Sequence, residues 1–434
     1  MPAGQAVPSG LAIFGYRANG VLVSEAGVPG AVPAYRGRIY ANVSGFVNTG
    51  LALANVSGSA ATVSFFFTNG SGIDFNTGSI TIPAHGQIAK FLDEAPFNAP
   101  HPTDGTFTFS SNVPVSAIAI RGLTNERSEF LVTTLPVANP DTDANVYNPV
   151  FFPQFADGGG WTTQFVLVNP SDKTLTGTLS FSAQGTAGTP APALSMNIDG
   201  AQVNQVTYSI PPRSSKRYST VSVTSQMKVG SAQVTPSVLN PAPVGVAIFS
   251  FNNGGITVSE AGTPSMSLGR AFRMYAEADN SNAIQTGVAI RNAGSTDTSV
   301  NFELTSLNGT STGLSGKLVI PPSGQRSLFV NQIPGFESLP MPFKGVLRIS
   351  STDVNITVLG VRGRSNERGD YIFTTTPATD ENAAQRSALV FPQIANGGGY
   401  STQFIMFSGT PAEPASGNLQ LFGQTGASLT LGMR

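Results

Sequence analysis

The densest charge in this chain falls in two near-copies of one loop. Arg121-Gly122 followed by Asn125-Glu126-Arg127 returns as Arg362-Gly363 followed by Asn366-Glu367-Arg368. Guanidinium donors beside a carboxylate acceptor can hold sugar hydroxyls or a carboxylate, so Arg121, Asn125, Glu126, Arg127, Arg362, Asn366, Glu367 and Arg368 are candidate ligand-loop residues. The favoured alternative is a hairpin loop whose Arg and Glu pair locally before the next strand, Phe130 to Thr134, rejoins its sheet. Trp161, with Tyr400 at the equivalent place, offers a flat apolar face on which a sugar could stack; a ring capping the edge of a sandwich is favoured.

Asp141, Asp143 and Asn145 place oxygen ligands at alternate positions, as the first half of a calcium loop does. The Gly and distal bidentate Glu of the full pattern are missing, so a solvated linker is the favoured reading. His85 and His101 are the only two histidines, too few for a metal triad or a Ser-His-Asp set. Asp93-Glu94 is the one tempting carboxylate pair for glycoside hydrolysis, and its counterpart downstream is Asn331-Gln332. The triplet Gly158-Gly159-Gly160 precedes a strand rather than a helix and lacks a following Gly-Lys-Ser/Thr, so it is no phosphate cradle. The expectation is no enzyme, no catalytic residue and no cofactor.

What positions these residues is an internal repeat. Val23-Ser24-Glu25-Ala26-Gly27 returns as Val258-Ser259-Glu260-Ala261-Gly262, a shift of 259 − 24 = 235. The Asn-Glu-Arg loops recur at 366 − 125 = 241. Phe152-Pro153-Gln154, Gly158-Gly159-Gly160 and Thr163-Gln164-Phe165 return as Phe391-Pro392-Gln393, Gly397-Gly398-Gly399 and Thr402-Gln403-Phe404. Such a period marks an array of like modules. It is itself double: alternating strands ending in Asn55, Asn169 and Asn292, with a fourth copy ending in Ser408, and Ile-Pro steps at Ile82-Pro83, Ile210-Pro211 and Ile320-Pro321.

The chain thus reads as all-β, a tandem array of immunoglobulin-like antiparallel β-sandwich modules in two alternating subtypes. The first module covers 31–138, the second 150–265, and the third, a repeat of the first, 268–378. A split fourth module joins 390–434 to 1–30 and repeats the second. Each complete module should hold seven or eight short strands with turns such as Asn69-Gly70 and Asn253-Gly254. Gln87 to Glu94 is the best candidate for a helical turn, and 138–149 and 378–389 are linkers. The split module lacks a counterpart of about 199–238. Leu11, Ile13, Phe14, Phe404 and Met406 are therefore the candidate assembly interface; the favoured reading is a fragment of a longer array, with strand exchange between chains and closure within the chain as the alternatives.

Composition agrees with this. Charged residues are 11% of the chain, against roughly 25% in an ordinary soluble domain, with 48 Gly and 31 Pro suited to tight turns. A formal charge of −1 provides no basic stripe for nucleic acid and little repulsion between copies. Cysteine is absent, which excludes disulfides and thiolate sites. No apolar run approaches the ~18–20 residues of a membrane helix, so no membrane insertion is expected. Met1 to Gln5 lacks the make-up of a signal peptide.

At the Phe-Pro-Gln…Gly-Gly-Gly…Thr-Gln-Phe and Arg-Gly…Asn-Glu-Arg blocks the chain resembles immunoglobulin-like repeat modules of large secreted bacterial surface proteins. The resemblance covers nearly the whole chain. It implies an extracellular or cell-surface location and transfers no active site. The functional expectation is a non-enzymatic structural protein, a stalk or adhesin array or a fibre subunit with itself as partner. A carbohydrate-binding array on a cell surface, with a surface glycan as partner, is the alternative.

Overall fold

The period-two pattern of Ala61–Asn69 shows how the residues make the strands: Val63, Phe65 and Phe67 are buried while Thr62 and Ser64 face solvent. One face enters a core and the other stays wet. The computed structural model describes residues 7–221, 224–383, 388–410 and 414–430, and they are almost entirely antiparallel β-structure. Among the described residues no helix is long and apolar enough to cross a membrane.

The chain opens with the hairpin β1 (Ser9–Ala18) and β2 (Val21–Pro29). The first module then follows as β3 (Ala34–Val43), β4 (Val47–Asn55), β5 (Ala61–Asn69), β6 (Asp74–Ile82), β7 (Gln87–Phe91), β8 (Thr103–Thr124) and β9 (Phe130–Leu135). Strand β8 serves both layers. Its first half pairs with β3 and β5, and from Val115 onward it pairs with β4 and β9. Gln87–Phe91 is thus an edge strand on β4 rather than the helical turn its sequence suggested. Its backbone finds partners across the sheet, and the turn that follows closes with Glu94 accepting from the Phe91 N–H.

The second module has separate strands for the two roles of β8. They are β10 (Val150–Asp157), β11 (Trp161–Val168), β12 (Leu175–Ser182), β13 (Met196–Ile198), β14 (Ala201–Val203), β15 (Gln205–Ile210), β16 (Ser215–Ser219), β17 (Lys228–Pro236), β18 (Val244–Asn253) and β19 (Ile256–Pro264). They form two four-stranded sheets, β10-β17-β12-β15 and β16-β11-β18-β19, with β13-β14 a small ribbon. The third module runs β20 (Ala271–Asp279), β21 (Ile284–Asn292), β22 (Thr298–Ser306), β23 (Ser311–Ile320), β24 (Gln325–Phe329), β25 (Phe343–Ser351), β26 (Ile356–Ser365), β27 (Tyr371–Thr376) and the short β28 (Thr379–Asp380). Its two layers, β23-β22-β25-β20 and β24-β21-β26-β27, repeat that order.

The Asn that ends an inner strand has a common task in all three modules. The Asn169 carboxamide donates to the Lys173, Ile210 and Pro211 carbonyls while its oxygen accepts from Ser171 N–H. Asn55 does the same with Ser59, Ile82 and Pro83, and Asn292 with Thr296 and Ile320. Each buried amide ties a loop to the Ile-Pro step, so the two sequence landmarks are halves of one clasp.

The last strand, β29 (Tyr400–Phe407), pairs with β1 within the same chain, from Ser9↔Phe407 to Tyr16↔Tyr400. The split module is thereby a single sheet, β2-β1-β29. Leu11, Ile13, Ile405 and Phe407 on one of its faces bury against Tyr275 and Val346 of the third module. In the same way Val166, Val168, Val246 and Ile248 of the second module bury against the first, where they join one continuous core.

Candidate functional site: a junction of four strands

Strands β2, β9, β19 and β27, one from each module, meet side by side, and the repeated motifs lie at their contacts. Every residue of Ser-Glu-Ala-Gly has a role there. Ser24 Oγ accepts from the Val132 N–H and faces the Val132 carbonyl, and Ser259 does the same with Phe373. Ala26 and Ala261 are buried. Gly27 lets two backbones approach, because a Cβ there would lie 2.0 Å from the Thr375 carbonyl oxygen; at Gly262 it would lie 2.2 Å from that of Thr134. The N–H groups of these glycines donate to Thr374 and Thr133, and their carbonyls accept from Thr134 and Thr375.

The glutamates reach the arginines of the other subtype. Glu260 lies 3.1 Å from Arg121 Nε, both buried. Glu25 takes Nη1 of Arg362, whose Nε lies 3.1 Å from Glu277. Glu25 also lies 3.6 Å from Arg364. Desolvating such charges is costly, and only close pairing offsets it, so removing one partner strands the other.

The Asn-Glu-Arg loops close the outside of the junction. Asn125 donates to the Thr257 carbonyl, and Glu126 accepts from the Thr257 N–H and hydroxyl. In the other copy Asn366 donates to the Leu22 carbonyl, and Glu367 accepts from the Leu22 N–H and from Arg17 at 2.6 Å. The third residues of the loops cross over, Arg127 to Asp370 at 2.7 Å and Arg368 to Glu129 at 2.5 Å.

These contacts set the charge states. Two N–H donors, Leu22 and then Arg17, hold the Glu367 carboxyl down at about 2. Burial would raise Glu129 and Asp370, but the guanidinium groups facing them outweigh it and both titrate below the ordinary range. Glu126 is likewise lowered, its hydrogen bonds from Thr257 outweighing desolvation.

The aromatic candidates flank the junction, and the acidic ones lie apart from it. Trp161 stacks on Phe251 with centroids 4.7 Å apart and meets Phe373 edge-on at 4.9 Å. Its counterpart Tyr400 stacks on Tyr16 at 4.5 Å. Tyr400, Tyr16, Phe14, Phe91 and Phe130 line a mostly apolar cavity of about 480 Å³ between the split sheet and the first module. Asp143 caps its own turn by accepting from the Asn139 N–H, Asp141 pairs with Arg36, and Asn145 donates to the Asp141 carbonyl. No cluster of His, Cys, Asp or Glu able to hold a metal ion occurs among the described residues. Of the assembly residues, Leu11 and Ile13 are buried, Phe14 and Phe404 half-buried, and Met406 exposed.

Sequence reading missed two buried arginines that join consecutive modules. Arg38 in β3 donates to Thr108 at 2.8 Å and across to the Asn169 carbonyl at 2.9 Å. Arg291 in β21 donates to Ser231 and Gln233 of the second module and lies 4.7 Å over the Phe151 ring. Desolvation brings both guanidinium groups down to about 10. An arginine inside an otherwise apolar alternation, as in Val288-Ala289-Ile290-Arg291, was the available signal. No protein-family model and no curated protein sequence matches this chain.

Proposed function

We propose that this chain is a non-enzymatic structural protein of a bacterial cell exterior, a building block of a stalk, adhesin array or fibre. The observation that carries the reading is the junction. The charged motif residues, which in a ligand-binding repeat would face an open cleft, are engaged with one another between modules 1, 2, 3 and the split module. Low charge, absent cysteine and the resemblance to secreted repeat modules support an extracellular setting. The β1–β29 seam lies within one chain, so the block joins a neighbour through the part of the split sheet where Met406 is exposed.

Light scattering over a concentration series, with negative-stain microscopy, tests this reading. Mass growing beyond 44.9 kDa, and growth lost in Met406→Asp, supports it. A constant 44.9 kDa at every concentration overturns the self-assembling form. The aromatic cavity beside Tyr400 favours a second reading, glycan binding; saturable binding on a glycan array that disappears in Tyr400→Ala would establish it, and silence would remove it.

A further inference from the structure

The four strands of the junction all run into a proline at the same level. Gly27 is followed two residues on by Pro29 and Gly262 by Pro264, and Thr134 and Thr375 stand in the same relation to Pro136 and Pro377. Residues two apart in a strand face the same way. The N–H groups of Gly27 and Gly262 point into the junction and donate to Thr374 and Thr133. At Pro29 and Pro264 that donor does not exist, so hydrogen bonding between the modules stops there and the chains part. They leave a cavity of about 400 Å³, within the ~300–1,000 Å³ of small-molecule sites. All four prolines line it, with Ile118 and Leu359. These six form three equivalent pairs, since 264 − 29 = 235 and 377 − 136 = 359 − 118 = 241. The cavity thus lies where the two halves of the junction face one another.

Its floor is apolar and its mouth is open. Ile118, Leu359, Val115 and Leu135 are buried, whereas Pro29, Pro264 and Val32 are exposed. The Thr134 and Thr375 hydroxyls are already engaged with the Gly27 and Gly262 carbonyls. A sugar would lose its hydration there for few hydrogen bonds, and an apolar body would not. The charged lining residues are Arg36 and Asp143, both on the first module's side. Arg36 is paired with Asp141 at 3.2 Å. Asp143 accepts from the Asn139 N–H and faces the Thr142 hydroxyl, and among the described residues it pairs with no cation. Burial pushes its carboxyl up, as befits an anion without a counter-charge. Of the three residues that read as half of a calcium loop, Asp143 alone lines this cavity.

We infer that this cavity is a binding site for a small hydrophobic amine, an aromatic or short alkyl ammonium. Its apolar body lies between the proline pairs, and its cation meets the Asp143 carboxylate. The inference goes beyond the building-block reading and does not depend on it. A ligand seated there touches β2, β9, β19 and β27 together, through Pro29, Leu135, Pro264 and Thr375. It therefore favours the closed junction in proportion to its affinity.

The test titrates the full chain with phenethylamine by calorimetry and follows its melting temperature. Saturable binding and a raised melting temperature are expected. Phenethyl alcohol, which keeps the ring and lacks the charge, should bind about tenfold more weakly. Phenethylamine should lose about the same factor on Asp143→Asn, a change that keeps an acceptor for the Asn139 N–H. Ala117→Phe, which fills the cavity from β8, should remove binding. Asp143→Asn, at a part-exposed position, tests the site even where Ala117→Phe weakens the fold. Absence of saturable binding, equal affinity for the amine and the alcohol, or unchanged affinity in Asp143→Asn would each overturn the inference. Binding that fades as the chain's own mass grows with concentration would also overturn it, because a second copy would then be the occupant.

Discussion

Arg127 of the first module reaches Asp370 of the third at 2.7 Å, and Arg368 of the third reaches Glu129 of the first at 2.5 Å. Glu129 and Asp370 are equivalent positions, 370 − 129 = 241 apart, so the two ion pairs are one contact made twice in opposite senses. A repeat that doubles within one chain can be self-complementary, as the two halves of a symmetric dimer are. Coupling at this point should be measurable. In a double-mutant cycle of Arg127→Ala and Asp370→Ala, followed by denaturant unfolding, the interaction energy should be about 1–3 kcal/mol, since Asp370 is nearly buried and its bond is charge-assisted. Independent effects would show that the modules touch there without stabilising one another.

Acid should loosen the junction. Glu129, Asp370, Glu126 and Glu367 all have carboxyls lowered in the folded chain, Glu367 to about 2. A lowered carboxyl contributes stability that is complete above its unfolded value near about 4 and disappears as pH falls through the folded value. Melting temperature should therefore hold steady above about pH 5 and decline between about pH 4 and 2. The decline should be shallower in the Glu126→Gln, Glu367→Gln double variant. Equal slopes would separate acid sensitivity from these loops.

Backbone proximity at the glycines should matter as much as charge. Gly262→Val would drive a side chain into the Thr134 carbonyl, and Gly27→Val into that of Thr375. Each should cost about 1–3 kcal/mol and raise proteolysis between modules while leaving the module cores intact. Wild-type proteolysis in both variants would mean that the strands part without consequence.

The Asn clasp predicts an asymmetric pair of substitutions. Asn169→Ala takes the carboxamide donor away from the Lys173, Ile210 and Pro211 carbonyls, of which Pro211 keeps the Ser214 N–H, and should lower unfolding free energy by about 1–3 kcal/mol. Ser408→Asn should change little, because no Ile-Pro step lies beside it among the described residues. A stabilised Ser408→Asn variant would contradict the pairing of these landmarks.

Much of this was legible in the sequence, for reasons visible at particular residues. Alternation at Val63, Phe65 and Phe67 marks a half-buried strand wherever it occurs. Asn169 and Ile210-Pro211 recur together because they bond to each other. Gln87 to Glu94 misled because an edge strand this short shows no clear period. The Asn-Glu-Arg loops were recognisable as a repeated unit, but their partners were not. Glu25 and Arg362 lie 337 positions apart, and no local spacing encodes which strand of which module will lie beside β2. The complementary recurrence of Glu25 and Glu260 with Arg362 and Arg121 was the one available sign.

The central claim, that one chain closes its own split module into this junction, can be tested with a disulfide. A Cβ on Gly15 would lie 3.2 Å from the Ser401 hydroxyl oxygen across the β1–β29 seam, a spacing that suits a disulfide in a chain with no other cysteine. The Gly15→Cys, Ser401→Cys variant, oxidised at low concentration and run without reductant, should form its crosslink within single 44.9 kDa chains and gain thermal stability. Crosslinked dimers and ladders in place of that species would mean that β1 pairs with the β29 of another chain.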